Sequence, residues 1–166
     1  MPVVGFLHSG SPDAFSDRVR GFRQGLKERG FVEGENVSIV YRWAENKIDQ
    51  LPELAAELVH RPVAVIAATG GSYSALAAKA FTGLVPVVFG VPEDPIRLGL
   101  VTSLARPDGN VTGINFFTNE VGAKRLELMR ELVPNAVRIA VIINPSNRTI
   151  AEPIVREIEK ARVAMN

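Results

Sequence analysis

The chemistry-capable residues of this chain gather in short clusters that follow apolar runs. Thr69-Gly70-Gly71-Ser72 follows Val63–Ala67, His8-Ser9-Gly10-Ser11 follows Val3–Leu7, and Glu93-Asp94 follows Val85–Val91. Backbone N–H groups at a helix start form an anion site, and glycine lets a ligand come close, so Thr69, Gly70, Gly71 and Ser72 would suit a carboxylate or phosphate. The same four residues also serve as a tight turn with a serine cap, and the local sequence leaves both readings open. They form no Walker loop, because the Gly-Lys-Ser/Thr ending is absent, and no G-x-G-x-x-G follows the first run. Ser9 and Gly10 offer a hydroxyl and an open backbone to a polar ligand. Ser11 reads as a helix cap. His8 beside Ser9 makes a poor nucleophile–base pair, because neighbouring strand residues point to opposite faces. A histidine at a strand end is more often structural.

Glu93 and Asp94 are suited to general acid–base work or to contacts with a ligand ammonium, and equally to turn chemistry between Pro92 and Pro95. Trp43 could stack on an aromatic or cationic ligand or join the core. Asn115-Phe116-Phe117 reads either as a hinge with an aromatic wall or as a strand end. No His/Cys/carboxylate cluster has metal-ligand spacing, so no metal and no cofactor is expected. The chain has no cysteine, which excludes disulfide and thiolate chemistry. A net charge of +1 gives no electrostatic argument for nucleic acid. No apolar run approaches the roughly 18 residues of a membrane span. Met1 leads directly into a strand pattern without a basic leader, so no signal peptide is expected in this stretch.

Alternating elements must position these residues. Strands are predicted at Val3–Leu7, Val37–Trp43, Val63–Ala67, Val85–Val91 and Val111–Asn115. Between the first two, Ser11 and Pro12 open a helix whose apolar face is Phe15, Val19, Phe22 and Leu26, and Gly30 closes it. Asn46 or Asp49 opens a second helix with the stripe Leu51, Leu54, Ala55, Leu58 and Val59. A third runs over Tyr73–Phe81, a short helical turn over Ile96–Leu104, and Pro107-Asp108-Gly109-Asn110 is a turn. Strand–helix alternation predicts an α/β fold with a doubly wound parallel sheet and helices on both faces. In such sheets ligands bind outside the carboxyl ends of the strands, where these clusters lie.

A second unit follows, with a helix over Glu120–Val133 (Leu126, Met129, Leu132 and Val133 inward), a strand over Val137–Ile143, the loop Asn144-Pro145-Ser146-Asn147 and a helix over Thr149–Met165. One strand and two helices cannot bury a sheet, so the pattern predicts a piece of something longer with apolar surface in this unit, at Val137–Ile143 and at Ile150, Ile154 and Ile158. That surface offers a route to homo-oligomers.

Four stretches carry a family resemblance: P-V-V-F-G-V-P-E-D-P at 86–95, G-L-V-T-S-L-A-R-P-D-G-N-V-T-G at 99–113, E-L-M-R-E-L-V-P-N-A-V-R-I-A-V-I-I-N-P at 127–145 and F-R-Q-G-L-K-E-R-G-F-V-E-G-E-N-V at 22–37. Together they resemble the ABC-transporter substrate-binding proteins of the tryptophan and tyrosine uptake type. The resemblance implies a type I periplasmic-binding-protein fold, in which two Rossmann-like lobes hold a ligand between them. Residues 1–116 would be the first lobe and 117–166 the first helix-strand-helix of an incomplete second. It implies an extracytoplasmic solute-binding component, with a small-molecule solute (an amino acid, aromatic favoured) and a permease as partners of the full-length protein, and no enzyme activity. Carried over by position, Ser9, Gly10, Thr69, Gly70, Gly71, Ser72, Glu93 and Asp94 would line the first lobe's side of the site. Asn115 and Phe116 would lie at the hinge, with Asn144 and Asn147 at the second lobe's edge. N–H groups at Gly71–Ser72 would hold an α-carboxylate, Glu93 or Asp94 would offset an ammonium, and an aromatic residue would stack the side chain. An effector domain of a regulator on the same fold would need a DNA-binding helix-turn-helix. An enzyme on a flavodoxin-like fold would need a nucleophile–base pair or phosphate loop.

Overall fold

The computed structural model describes residues 1–107, 109–116, 121–144 and 148–164, with the side chains of 148–150 and 163–164 left aside. The expectations that fell on Asp108, Phe117, Glu120, residues 145–147 and Met165 lie outside the described residues. The chain divides into two compact units, Met1–Asn115 and Phe116–Asn166.

The first unit is built on five strands: β1 (Val3–His8), β2 (Ser38–Trp43), β3 (Val65–Ala68), β4 (Val87–Val91) and β5 (Val111–Asn115). All pair in parallel, in the order β2-β1-β3-β4-β5. Three helices connect them: α1 (Ser16–Glu28), α2 (Leu51–Val59, after a 3-10 turn at Ile48–Gln50) and α3 (Ser72–Phe81). Strand alternation divides the core in two. Val4, Phe6 and Ala67 pack with Val19 and Phe22 of α1 on one face. Leu7, Ile66, Ala68, Val87 and Phe89 pack with α2 and α3 on the other. The α2 stripe has the expected period, with Leu51, Ala55 and Leu58 almost wholly buried. On the α1 face the last two strands carry exposed apolar side chains, Val88 and Ile114.

The chain leaves β1 toward β2 on one side and returns to β3 on the other, so the order reverses between β1 and β3. Outside the carboxyl ends of such a strand pair lies the crevice where open α/β sheets hold ligands.

Local expectations are corrected at the start of the first helix and after β4. The first helix starts at Ser16, and residues 12–15 are turn, with Phe15 at the N-cap. Ser11 therefore caps nothing. The Phe15 ring lies 4.2 Å from that of His8, and this packing takes it out of the helical stripe. The close of α1 is as the sequence predicts: Gly30 has φ 83°, its N–H donates to Lys27 O, and Phe31 N–H donates to Leu26 O. The helical turn expected over Ile96–Leu104 is shorter and starts earlier, at residues 95–99. Asp94 to Val101 make hydrogen-bonded turns, with Leu98 N–H on Asp94 O and Leu100 N–H on Pro95 O, and Gly99 at φ 70° ends the winding.

The second unit contains α4 (Gly122–Leu132) and α5 (Arg148–Ala164). The predicted strand Val137–Ile143 is absent as a strand, since an isolated run cannot complete a ladder without a neighbour. Val137 and Ile142 are 93% and 97% exposed. Of the residues expected to face inward on α4, only Leu126 is buried; Met129, Leu132 and Val133 are exposed. This unit thus carries the apolar surface expected of it at Val137–Ile143.

Candidate functional site

The first turn after β1 and the turn between β3 and α3 touch each other. Ser9 Oγ donates to Gly70 O at 2.6 Å. A Cβ built on Gly70 would fall 2.4 Å from Ser9 N, 2.6 Å from His8 Cα and 2.5 Å from Ser74 Oγ. Only glycine permits this approach, and it fixes the two loops as one unit. At Gly10 a Cβ would meet a side chain instead, the Phe15 ring at 2.2 Å. On the far side Ser9 O and Gly10 O accept the N–H groups of Asn46 and Glu45. Those two residues have left-handed backbones (φ 64° and 50°), an uncommon conformation outside glycine that serves this junction.

His8 is buried at the end of β1, between the rings of Phe15 and Trp43, 4.2 and 4.9 Å away. Its Nδ1 accepts the Gly10 N–H at 2.9 Å, so in the neutral ring the proton sits on Nε2. Burial, and then the Arg18 guanidinium, lower its pKa to about 4.

Gly71 is the N-cap of α3 with φ 87°, and no side chain caps the helix there. The next residue, Ser72, donates its Oγ proton to Glu93 Oε2. Glu93 comes from the turn after β4 and is 8% exposed. Burying a carboxylate is costly unless it is hydrogen-bonded, and the start of a helix is the favourable place for it. Three buried polar atoms in this region have no hydrogen-bond partner among the described residues: His8 Nε2, Ser74 Oγ and Glu93 Oε1. They belong to the ends of β1 and β4 and the first turn of α3.

The structure therefore brings Ser9, Gly10, Gly70, Gly71, Ser72 and Glu93 to the carboxyl edge of β1, β3 and β4, and Thr69 stands half-buried in the same turn. Asp94 has a different role: its Oδ1 accepts the Ile96 N–H at 2.8 Å and its Oδ2 lies 3.7 Å from Arg97 Nε. Trp43 packs on Phe6 and His8 at the end of β2. Asn115 closes β5 in register with Val91. Phe116 is 58% exposed, Asn144 is an exposed residue of the second unit, and Asn147 lies outside the described residues. Ser74 and the carbonyl acceptors for Asn46 and Glu45 had no sequence signal; a serine inside a helix pattern and a solvated turn look the same in any chain. His8 had one, its place at a strand end, but its aromatic packing was not readable.

As chemistry, the edge offers acceptors, donors and close backbone approach. Ser9 and His8 do not pair with each other: Ser9 Oγ is engaged by Gly70 O and His8 Nδ1 by the Gly10 N–H, while Ser72 gives its hydroxyl proton to the buried Glu93 carboxylate. No group of three or more His, Asp or Glu side chains among the described residues could hold a metal ion. No described helix is long and apolar enough to cross a membrane. Polar residues thus collect at the switch point of a doubly wound sheet, the edge at which open α/β sheets hold ligands.

Comparison with known proteins narrows the class. The model of the family "ABC transporter substrate binding protein" matches residues 4–166, and the chain belongs to that family. A tyrosine-binding protein of Clostridioides difficile is 34% identical over 127 residues, which is 76% of this chain and 36% of the relative. The crystal structure of a conserved domain protein from Vibrio cholerae superposes with a TM-score of 0.80 at 26% identity, over 96% of this chain and 54% of that one. An ABC domain from Streptococcus pneumonia in complex with L-Trp has the same fold, with a TM-score of 0.79 at 24% identity, over 96% of this chain and 54% of that one. The chain thus spans about half the length of these solved relatives and about a third of the curated one.

Proposed function

We propose that the protein containing this chain is the extracytoplasmic solute-binding component of an ABC importer, and that it captures a small solute, an amino acid with an aromatic one favoured, at the carboxyl edge of β1, β3 and β4. It delivers that solute to a permease and performs no reaction on it. The observation that carries this reading is the set of buried polar atoms at the switch point with unspent hydrogen-bonding capacity: His8 Nε2, Ser74 Oγ and Glu93 Oε1. Buried polar groups are ordinarily paired, and the edge where these three lie is the one at which open α/β sheets hold ligands. The 34% identical tyrosine-binding relative supports an amino acid as that ligand.

A thermal-shift screen of the chain against the amino acids, related aromatic acids and nucleosides at millimolar concentration tests this. A ligand at about 100 times its Kd adds roughly 2.7 kcal/mol, a rise on the order of 5–10 °C for a chain of this size. A rise confined to one or a few amino acids is the expected result. A rise with nucleosides alone, or turnover of any ligand, would overturn the reading.

A further inference from the structure

Three loops meet at a turn that one histidine nitrogen holds in place. The Gly10 N–H donates to His8 Nδ1 at 2.9 Å, and this bond fixes the turn after β1. From the turn after β2, the Asn46 N–H donates to Ser9 O at 2.8 Å and the Glu45 N–H to Gly10 O at 3.1 Å. From the turn after β3, Gly70 O accepts the Ser9 hydroxyl. Glu45 and Asn46 keep left-handed backbones here, a costly conformation that persists only while its surroundings hold it.

An imidazole accepts a hydrogen bond at Nδ1 only while that nitrogen is unprotonated. A second proton makes it a donor, and the Gly10 N–H would then face another N–H. The ring is 2% exposed, with the Phe15 and Trp43 rings 4.2 and 4.9 Å away, so a cation there would also lose its water. The Arg18 guanidinium of α1, 4.9 Å from the Phe15 ring, acts on His8 as a like charge. From β2 the ring meets Trp43, whereas Arg42 belongs to the other sheet face and pairs with Glu57 at 2.6 Å. Asp13, Asp17 and Glu45, on the flanking segments, are exposed to water. Burial first, and Arg18 second, lower the His8 pKa to about 4.

We infer that His8 is an acid-sensitive latch: protonation of its ring releases the Ser9-Gly10 turn and opens the junction of the three loops, while the sheet beneath stays closed. The proton enters as the turn opens, so no channel to the ring is needed. The latch stands independently of the solute-binding reading, although the turn it frees belongs to the edge where that reading places the solute.

The test is amide hydrogen exchange of the whole isotopically labelled chain by NMR from pH 7 to pH 4, each rate divided by its unstructured-chain value at the same pH. Protection at Gly10, Glu45 and Asn46 should fall about 10-fold or more in step with the His8 ring resonances, while Leu58 in α2 and Ile66 in β3 stay protected. Glu93 is the competing titratable group at this edge, and two variants separate it from His8. His8→Phe keeps a ring and loses the acceptor. His8→Asn keeps an acceptor at the place of Nδ1 and loses the ring. Neither titrates, so in each variant that folds by far-UV circular dichroism the acid step at Glu45 and Asn46 should vanish. A step that survives in either folded variant would overturn the inference. So would equal loss of protection at Leu58 and Ile66, or titration of the wild-type ring with Gly10, Glu45 and Asn46 still protected.

Discussion

Substituting Gly70 by alanine should unlock the junction between the loops after β1 and β3. The added methyl would lie 2.4 Å from Ser9 N and 2.6 Å from His8 Cα, about 1 Å inside ordinary contact. Ser74 Oγ, at 2.5 Å, can rotate away, but the two backbone atoms cannot. They continue β1, whose Phe6 stands opposite Ala67 of β3, so relief requires prying apart the ends of two central strands. Overpacking of this kind costs about 1–3 kcal/mol, and loss of the Ser9 Oγ to Gly70 O bond adds about 1 kcal/mol. The combined cost is roughly 2–4 kcal/mol, a fall in Tm on the order of 10 °C for a unit of this size. Urea unfolding followed by the emission of Trp43, the single tryptophan, reads this unit directly. Gly21→Ala is the matched control: Gly21 lies inside α1 with nothing within 4 Å of its added methyl, and alanine there should stabilise by about 0.5–1 kcal/mol. A Gly70→Ala protein within about 0.5 kcal/mol of wild type would refute the close-approach argument.

The remaining predictions concern the same edge and its supports. The His8 pKa is lowered to about 4 from an ordinary 6.5, so the folded state rejects a proton that the unfolded state accepts. The contribution of His8 to stability should be full above pH 6.5 and be lost as pH drops from 6.5 to 4. His8→Phe should flatten that part of a stability–pH curve, and an unchanged slope would show that other groups cause it. Ser9→Ala should cost about 1 kcal/mol in urea unfolding, the value of one partly buried hydrogen bond; no change would mean the loops are held by the glycine contact alone. Gly113→Ala should destabilise by about 1–3 kcal/mol, because its methyl would fall 2.3 Å from Phe89 O and 2.5 Å from the Phe89 ring. Hydrogen exchange should then rise first in β5, the edge strand; uniform exchange would argue against a local cause.

Much of the first unit was readable because its signals are local and mutually consistent. Buried strands such as Val65–Ala68 and Val87–Val91 are short β-branched or small apolar runs, the α2 stripe repeats at helical spacing, and Gly30 stands where a left-handed residue must end α1. Where a tertiary contact competes with a local signal, the sequence misleads. Ser11-Pro12 has the form of a helix start, but Phe15 is drawn onto His8 and α1 begins later. Val137–Ile143 has strand composition, and composition cannot supply the neighbour a strand needs. The candidate site was legible as a cluster, since strand-end polar residues in alternating β and α elements meet at one edge. Its electrostatics were not. Glu93 between prolines looks like a solvated turn residue, and only the fold shows it buried on Ser72 while the adjacent Asp94 caps its own turn.

The most direct test of the binding site is a titration of the isotopically labelled chain with L-tyrosine, followed by its backbone amide resonances. Saturable shifts centred on Ser9, Gly10, Gly70 to Ser74 and Glu93 are expected. Shifts confined to the apolar groove of the second unit at Leu126, Val133 and Ile158, or to the groove beside α1 at Arg20, Lys27 and Phe31, would contradict that site.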